Sequence, residues 1–271
     1  MYEQHKIQIS SPGSITKEDW EYYCSFEVND YINDILDSLK NKNRFFVDER
    51  FLKLIYHFLF DNNSIYQSQK YLESGMILYR ARIYEKEDKS ERYFAQKKYG
   101  RFKGYNKKDS GMPPVGMNVG AGRINPSNIR YFYLASDEET AVLEVSPHSK
   151  EFISIAKIKT NEHLFLADFS KNWSVISAEN KDWEKWINEF ILGINVLFSK
   201  PCSNSSEYYL CQYISEYIKC WGFDGIIFNS AKNPQPVGSP KGKNITLFND
   251  KKCEVISSKL RYVIKVSVDM N

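Results

Sequence analysis

The sequence predicts an α+β protein, with a small helical module over residues 1–72 followed by a mixed β core with flanking helices over residues 73–271. Three observations carry that reading. In the first 72 residues apolar side chains recur at helical spacing. From residue 76 onward, short segments of strand length appear that either alternate, as in MILYRARI over 76–83, or are apolar throughout, as in the GIIF at the centre of 224–229. Two long amphipathic stretches, 181–197 and 207–221, lie between strands and have the width of core-facing helices.

Taken in order, residues 14–40 read as one helix, opened by Thr16 with Asp19 three positions on, an approximate capping box, and carrying Trp20, Tyr23, Val28, Ile32, Ile35, Leu36 and Leu39. A second helix over 48–60 presents Phe51, Leu54, Ile55, Phe58 and Leu59 as an apolar stripe, and a short third helix is expected before Gly75. Strands follow at 76–83 and 130–135. Ser136 and Glu139 have the spacing of a capping box, so a helix is expected from Asp137 to about Val145, where Pro147 forbids continuation. Strands are then expected at 152–158, 164–169, 224–229, 245–248 and 261–268, with a proline- and glycine-rich loop over 233–244. Gly222 is placed to end the helix over 207–221.

Composition narrows the function classes. A chain of 271 residues that is 42% apolar holds a proper core, as one large domain or a medium one plus a small one. A net charge of +3 excludes a protein whose whole surface is an electrostatic nucleic-acid binder. Five cysteines, an odd number without paired short spacings, fit reduced thiols in a cytoplasmic protein, and four histidines with no ligand-like pair give no metal site. The N-terminus lacks the apolar core of a signal peptide and no apolar run reaches the roughly 18 residues of a membrane span, so a soluble protein is expected.

The stretch 116–145, GMNVGAGRINPSNIRYFYLASDEETAVLEV, concentrates the residues with chemistry. Glycines 116, 120 and 122 lead into Arg123, Asn125-Pro126 stops any regular element there, and an aromatic strand then delivers the chain to a helix carrying Glu144. The order is an arginine at 123, a tyrosine at 133 and a glutamate at 144. With Leu78-Tyr79-Arg80 upstream and Gly222-Phe223-Asp224-Gly225-Ile226-Ile227-Phe228-Asn229-Ser230 downstream, it resembles the RES-domain family, named for its arginine, glutamate and serine. The matching pieces span roughly 75–250; Ala121 stands where the family usually has a first glycine, and Ile124 where it usually has tryptophan.

That resemblance implies an ADP-ribosyltransferase-like fold for 73–271 and an enzyme that degrades NAD by hydrolysis or phosphorolysis. NAD is then the substrate, phosphate a candidate co-substrate, and no further cofactor is needed. It also implies a toxin held in check by an antitoxin with a helix-turn-helix domain. The residues matching the family's site are Arg80, Arg123, Tyr133, Glu144 and Ser230, with Tyr79 as a further substrate contact. The chemistry of each residue type fits such a role. Guanidinium forks suit a pyrophosphate, an aromatic ring stacks on nicotinamide, a carboxylate stabilises developing positive charge at the ribose, and a serine hydroxyl holds ribose or phosphate oxygens.

Two rival readings belong beside it. An ADP-ribosyltransferase acting on a protein or nucleic acid would use the same residues, with the segment 92–108 as its platform: seven basic residues, no acidic ones, and five interleaved aromatics, the pattern of a single-strand groove, although a solvated flap is the favoured reading of that segment. Arg50 and His57, seven apart on a helix, resemble the motif of HEPN ribonucleases, although that family usually places a polar residue where this chain has Phe51.

Overall fold

Thr16 starts the first helix as its spacing predicts. In the computed structural model its Oγ1 accepts from Asp19 N at 3.1 Å while Asp19 Oδ2 accepts from Thr16 N at 2.9 Å, closing a reciprocal capping box. The structure describes residues 11–60, 68–85, 104–170, 182–201, 205–233 and 242–264. Where one helix was expected over 14–40 there are two, α1 (Lys17–Cys24) and α2 (Val28–Asp37), the second continuing into a π-helical turn, Ser38–Lys42. The break has a local cause: Ser25 turns its hydroxyl back onto Tyr22 O at 2.6 Å, competing with the helical ladder, and Glu27 is extended. Helix α3 (Glu49–Phe60) keeps its expected bounds within a residue. The short third helix expected before Gly75 lies partly outside the described residues, at 61–67, and residues 69–72 are a strand, β1 (Gln69–Leu72).

The chain divides into two compact units. Unit 1 takes in Met1–Tyr71, Asn118–Ile129 and Phe165–Phe228. Its organising element is α6 (Asp182–Ser199), against which the N-terminal helices bury their aromatic faces. Tyr23 stacks on Trp186 at 5.7 Å, Phe51 meets Phe190 edge-on at 6.1 Å, and Trp186 Nε1 donates to Phe26 O at 2.8 Å. Strands β5 (Leu164–Phe169) and β6 (Gly225–Asn229) pair in parallel from Leu166↔Gly225 to Phe169↔Phe228, with β1 beside β5. A mostly apolar parallel pair is covered on both faces, and every residue of β6 is buried. A 3-10 turn, Ser205–Tyr208, leads into α7 (Tyr209–Cys220), which Gly222 ends at φ +92°, a conformation that favours glycine.

Unit 2 comprises Leu72–Met117, Arg130–Leu164 and Asn229–Asn271. It holds β2 (Ile77–Ile83), β3 (Phe132–Ala135), β4 (Phe152–Thr160), β7 (Lys243–Leu247) and β8 (Cys253–Tyr262), in the order β7-β3-β2-β4-β8, with each neighbouring pair antiparallel. The last strand begins eight residues before the expected 261–268, because the polar face of CEVISSKLRY hides its alternation. Residues 265–268 fall outside the described residues. Two short helices belong to this unit, α4 (Lys107–Ser110) and α5 (Glu138–Glu144). Helix α5 packs Ala141, Val142 and Val145 onto Tyr79, Ala81, Ala135, Ile153 and Ile155, which form one face of the sheet. Alternation then puts Leu78, Arg80, Arg82, Phe132 and Leu134 on the opposite face. With eight strands in mixed pairing and helices throughout, the described residues form an α+β protein.

Candidate functional site

Helix α5 delivers Glu144, and its start differs from the expected one. The N-cap is Asp137 rather than Ser136: Asp137 Oδ1 accepts from Thr140 N at 2.8 Å and Oδ2 from Thr140 Oγ1 at 2.7 Å, while Ser136 Oγ donates to Asp137 Oδ2 at 2.8 Å. A carboxylate answers both the free N–H groups and the positive end of the helix better than a hydroxyl does.

Glu144, the last residue of that helix, is held at both its side chain and its main chain. Ser230 Oγ donates to its Oε1 at 2.6 Å and Asn244 Nδ2 donates to the same oxygen at 2.7 Å. Lys232 Nζ donates to Glu144 O at 2.8 Å and to Ser146 Oγ at 2.6 Å, putting a cation on the carbonyl end of the helix. Ser146 itself adopts φ +46° to end the helix. The serine has little freedom left: its Oγ accepts from Lys232 N at 3.1 Å and Asn233 N at 3.2 Å, so the hydroxyl proton is directed at Glu144. Ser230 thus holds the glutamate.

The two chain segments that carry these groups are closely packed where they meet α5. Asn233 Nδ2 donates to Thr140 Oγ1 at 2.9 Å and Ser230 N donates to Gly242 O at 2.8 Å. A Cβ at Gly242 would land on Thr140 Oγ1 and 2.8 Å from Asn233 Nδ2, so only glycine fits.

Tyr79 and Tyr133 lie on the α5 side of the sheet. Tyr79 packs against the apolar cluster there, and Tyr133 sits in register with Thr246, two residues along from the Ala135↔Asn244 pair. Arg80 belongs to the other face. Its Nη1 donates to Gly111 O, the guanidinium lies 5.4 Å from the Phe132 ring, and Arg82 Nη1 donates to Asp109 O at 2.5 Å. Burial pushes the Arg80 guanidinium down to about 10, with the neighbouring Arg82 adding repulsion.

Arg123 lies in unit 1. Its Nη1 donates to Leu197 O at 2.9 Å and its Nη2 to Lys200 O at 2.6 Å, and the guanidinium is 5.1 Å from the Tyr208 ring. It therefore closes the carbonyl end of α6, where unpaired C=O groups and the negative end of the dipole attract a cation. Gln212 Nε2 fastens the same turn by donating to Gly122 O at 2.7 Å, and Ile124 is fully buried beneath it.

Arg50 and His57 also have structural neighbours. Arg50 stands 3.6 Å from the buried Asp19 carboxylate and 4.1 Å from the Tyr22 ring, while His57 meets Trp20 edge-on at 5.9 Å. Of the basic segment 92–108, residues 92–103 lie outside the described residues. Lys107 and Lys108 are in α4.

A family model for the RES domain matches residues 92–265. The chain belongs to the RES-domain family. RES domains have an ADP-ribosyltransferase-like fold, are generally NAD-related toxins and suggest NAD-utilising enzymes, in a toxin–antitoxin context. No curated protein matches the chain. No helix among the described residues is long and apolar enough to cross a membrane.

Sequence reasoning singled out Glu144 and Ser230 but missed Asn244 and Lys232. A signal for Asn244 exists: in the strand KNITL the polar residues Asn244 and Thr246 alternate with Ile245 and Leu247, which marks one polar face. Lys232 carries no such mark, since a lysine in a loop is ordinarily solvated.

Proposed function

We infer that this RES-domain protein cleaves the bond between nicotinamide and ribose in NAD, with Glu144 as the catalytic carboxylate. The supporting observation is the grip on Glu144, a half-buried carboxylate held by two side-chain donors on one oxygen at 2.6 and 2.7 Å. A carboxylate fixed before the substrate arrives stabilises charge without reorganising in the transition state. Nicotinamide leaves with the electron pair of the C1′–N bond and becomes neutral, the ribose carbon gains oxocarbenium character, and Glu144 offsets that positive charge. Water or a phosphate oxygen then forms the new bond to C1′, and a water nucleophile loses its proton to solvent.

Tyr133 is assigned to fixing the nicotinamide ring by stacking, with Tyr79 beside it on the same face. Arg80 lies on the opposite face of the sheet, where it donates to Gly111 O, and is not assigned a contact with the substrate. Ser230 is assigned to holding Glu144 rather than to the ribose.

Purified protein incubated with NAD, with and without phosphate, tests this reading. Nicotinamide should appear one-for-one with NAD lost, matched by ADP-ribose or by its phosphate when phosphate is present. NAD that stays intact overturns the assignment, and label from the ADP-ribose half on a protein or nucleic acid replaces it with group transfer.

A further inference from the structure

We propose that Asn244, on β7, is a positioning residue that selects which oxygen of Glu144 meets the substrate. The proposal rests on the NAD-cleaving reading of Glu144 and adds the means by which its carboxylate is oriented. Oε1 receives two donors, Ser230 Oγ at 2.6 Å and Asn244 Nδ2 at 2.7 Å, whereas no described residue donates to Oε2. Two good donors saturate the lone pairs of one carboxylate oxygen. They also approach from separate chain segments, the loop after β6 and the start of β7, so together they fix the rotation of the carboxylate plane. Either alone would leave it free to turn. Oε2 is thereby left as the oxygen that faces developing charge.

The two donors are themselves fixed to different degrees. Ser230 takes its direction from the main-chain N–H groups of Lys232 and Asn233. Asn244 takes its direction from the sheet: it pairs with Ala135 in the β3–β7 ladder, which aims its side chain at the α5 face. The Asn244 amide therefore links the register of the sheet to the orientation of the carboxylate.

The test uses Asn244→Asp and Asn244→Ala in the full chain. Asn244→Asp keeps shape and packing but replaces a donor with an acceptor facing Glu144, so a packing role would tolerate it and a positioning role would not. Both variants should lower kcat for NAD roughly 10–100-fold with KM within about twofold, since the lost hydrogen bond acts on the transition state. A second readout is independent of turnover. In ¹⁵N-labelled protein, the Asn244 side-chain amide pair, assigned by its loss in Asn244→Asp, should lie away from the solvent-exposed amides and move toward them in Glu144→Ala.

Near wild-type kcat in Asn244→Asp, or an amide signal indifferent to Glu144→Ala in a protein that consumes NAD, overturns the proposal. A wild-type protein inert to NAD overturns instead the function proposed above, and with it the role built on that function.

Discussion

Arg123 and Glu144 stand in one short stretch of sequence, yet the fold uses them in opposite ways. The arginine is in unit 1 and the glutamate in unit 2, the chain passing from one to the other at residue 130. Arg123 gives its N–H groups to main-chain carbonyls at the end of α6, a service any protein with a helix terminus can use. The Glu144 carboxylate instead receives side-chain donors from two other segments, both on one oxygen. A charge spent on backbone groups stabilises a fold, whereas a carboxylate oriented by side chains is what the chemistry proposed for Glu144 requires. The difference teaches that matching a family's residue order does not assign a common role to the residues matched.

The sharpest way to break the comparison is to replace each charge by a neutral group of similar size. Glu144→Gln should lower NAD turnover by roughly 10²–10³-fold or more, as loss of a transition-state charge contact does, while the melting temperature stays within a few degrees. Comparable activity in that variant would remove Glu144 from the chemistry.

Gly242→Ala comes next, because it strikes the support of the glutamate without touching the carboxylate. The new methyl group collides with Thr140 and Asn233, so we expect a loss of about 1–3 kcal/mol in chemical denaturation and a fall in turnover as the residues around Ser230 shift. Unchanged stability would mean that this packing yields more easily than the contacts suggest.

Arg123→Met should show the reverse of the Glu144 pattern. We expect about 1–2 kcal/mol less stability from the two lost carbonyl contacts. Any loss of turnover should be no larger than unfolding explains. A large loss of kcat in a fully folded Arg123→Met protein would return Arg123 to the substrate.

The smallest effect concerns Asp19, the counterpart in unit 1 of a carboxylate committed to structure. Its hydrogen bond from Thr16 N, then those of the Thr16 hydroxyl and the nearby Lys53, hold it below the usual carboxylate value despite burial. A depressed folded value means that its stabilisation is present above the ordinary 3.8 and is lost as pH falls through the lower folded value. Asp19→Asn should therefore cost about 1 kcal/mol near neutral pH, the ordinary worth of a cap, and the gap to wild type should close in strong acid. A gap that persists unchanged at low pH would show that ionisation is not what Asp19 contributes.

Much of this was legible in the sequence where one physical signal dominates. The parallel strand at 225–229, the helix over 182–199 and the Gly222 terminus all follow from unbroken apolar character or periodicity and a glycine in a left-handed position. The break at Ser25 was not, because a serine that turns onto its own backbone looks like any other polar helix residue until the geometry is known. At the site, Glu144 and Ser230 were found through residue order, but their contact spans 86 positions of sequence and Asn244 lies 100 from Glu144. Such contacts come from strand register, which no local pattern encodes.

The packing of the N-terminal helices has a consequence for anyone who would shorten this protein. The family match starts at residue 92, yet α6, well inside it, is covered by α1–α3 through Tyr23, Tyr31 and Phe51. A fragment cut to the match would present Trp186 and Phe190 to water and would be expected to precipitate or to associate through that helix. The limits of recognisable resemblance are thus not the limits of what can stand alone: α1–α3 cover the aromatic face of α6 as one of its own neighbours would.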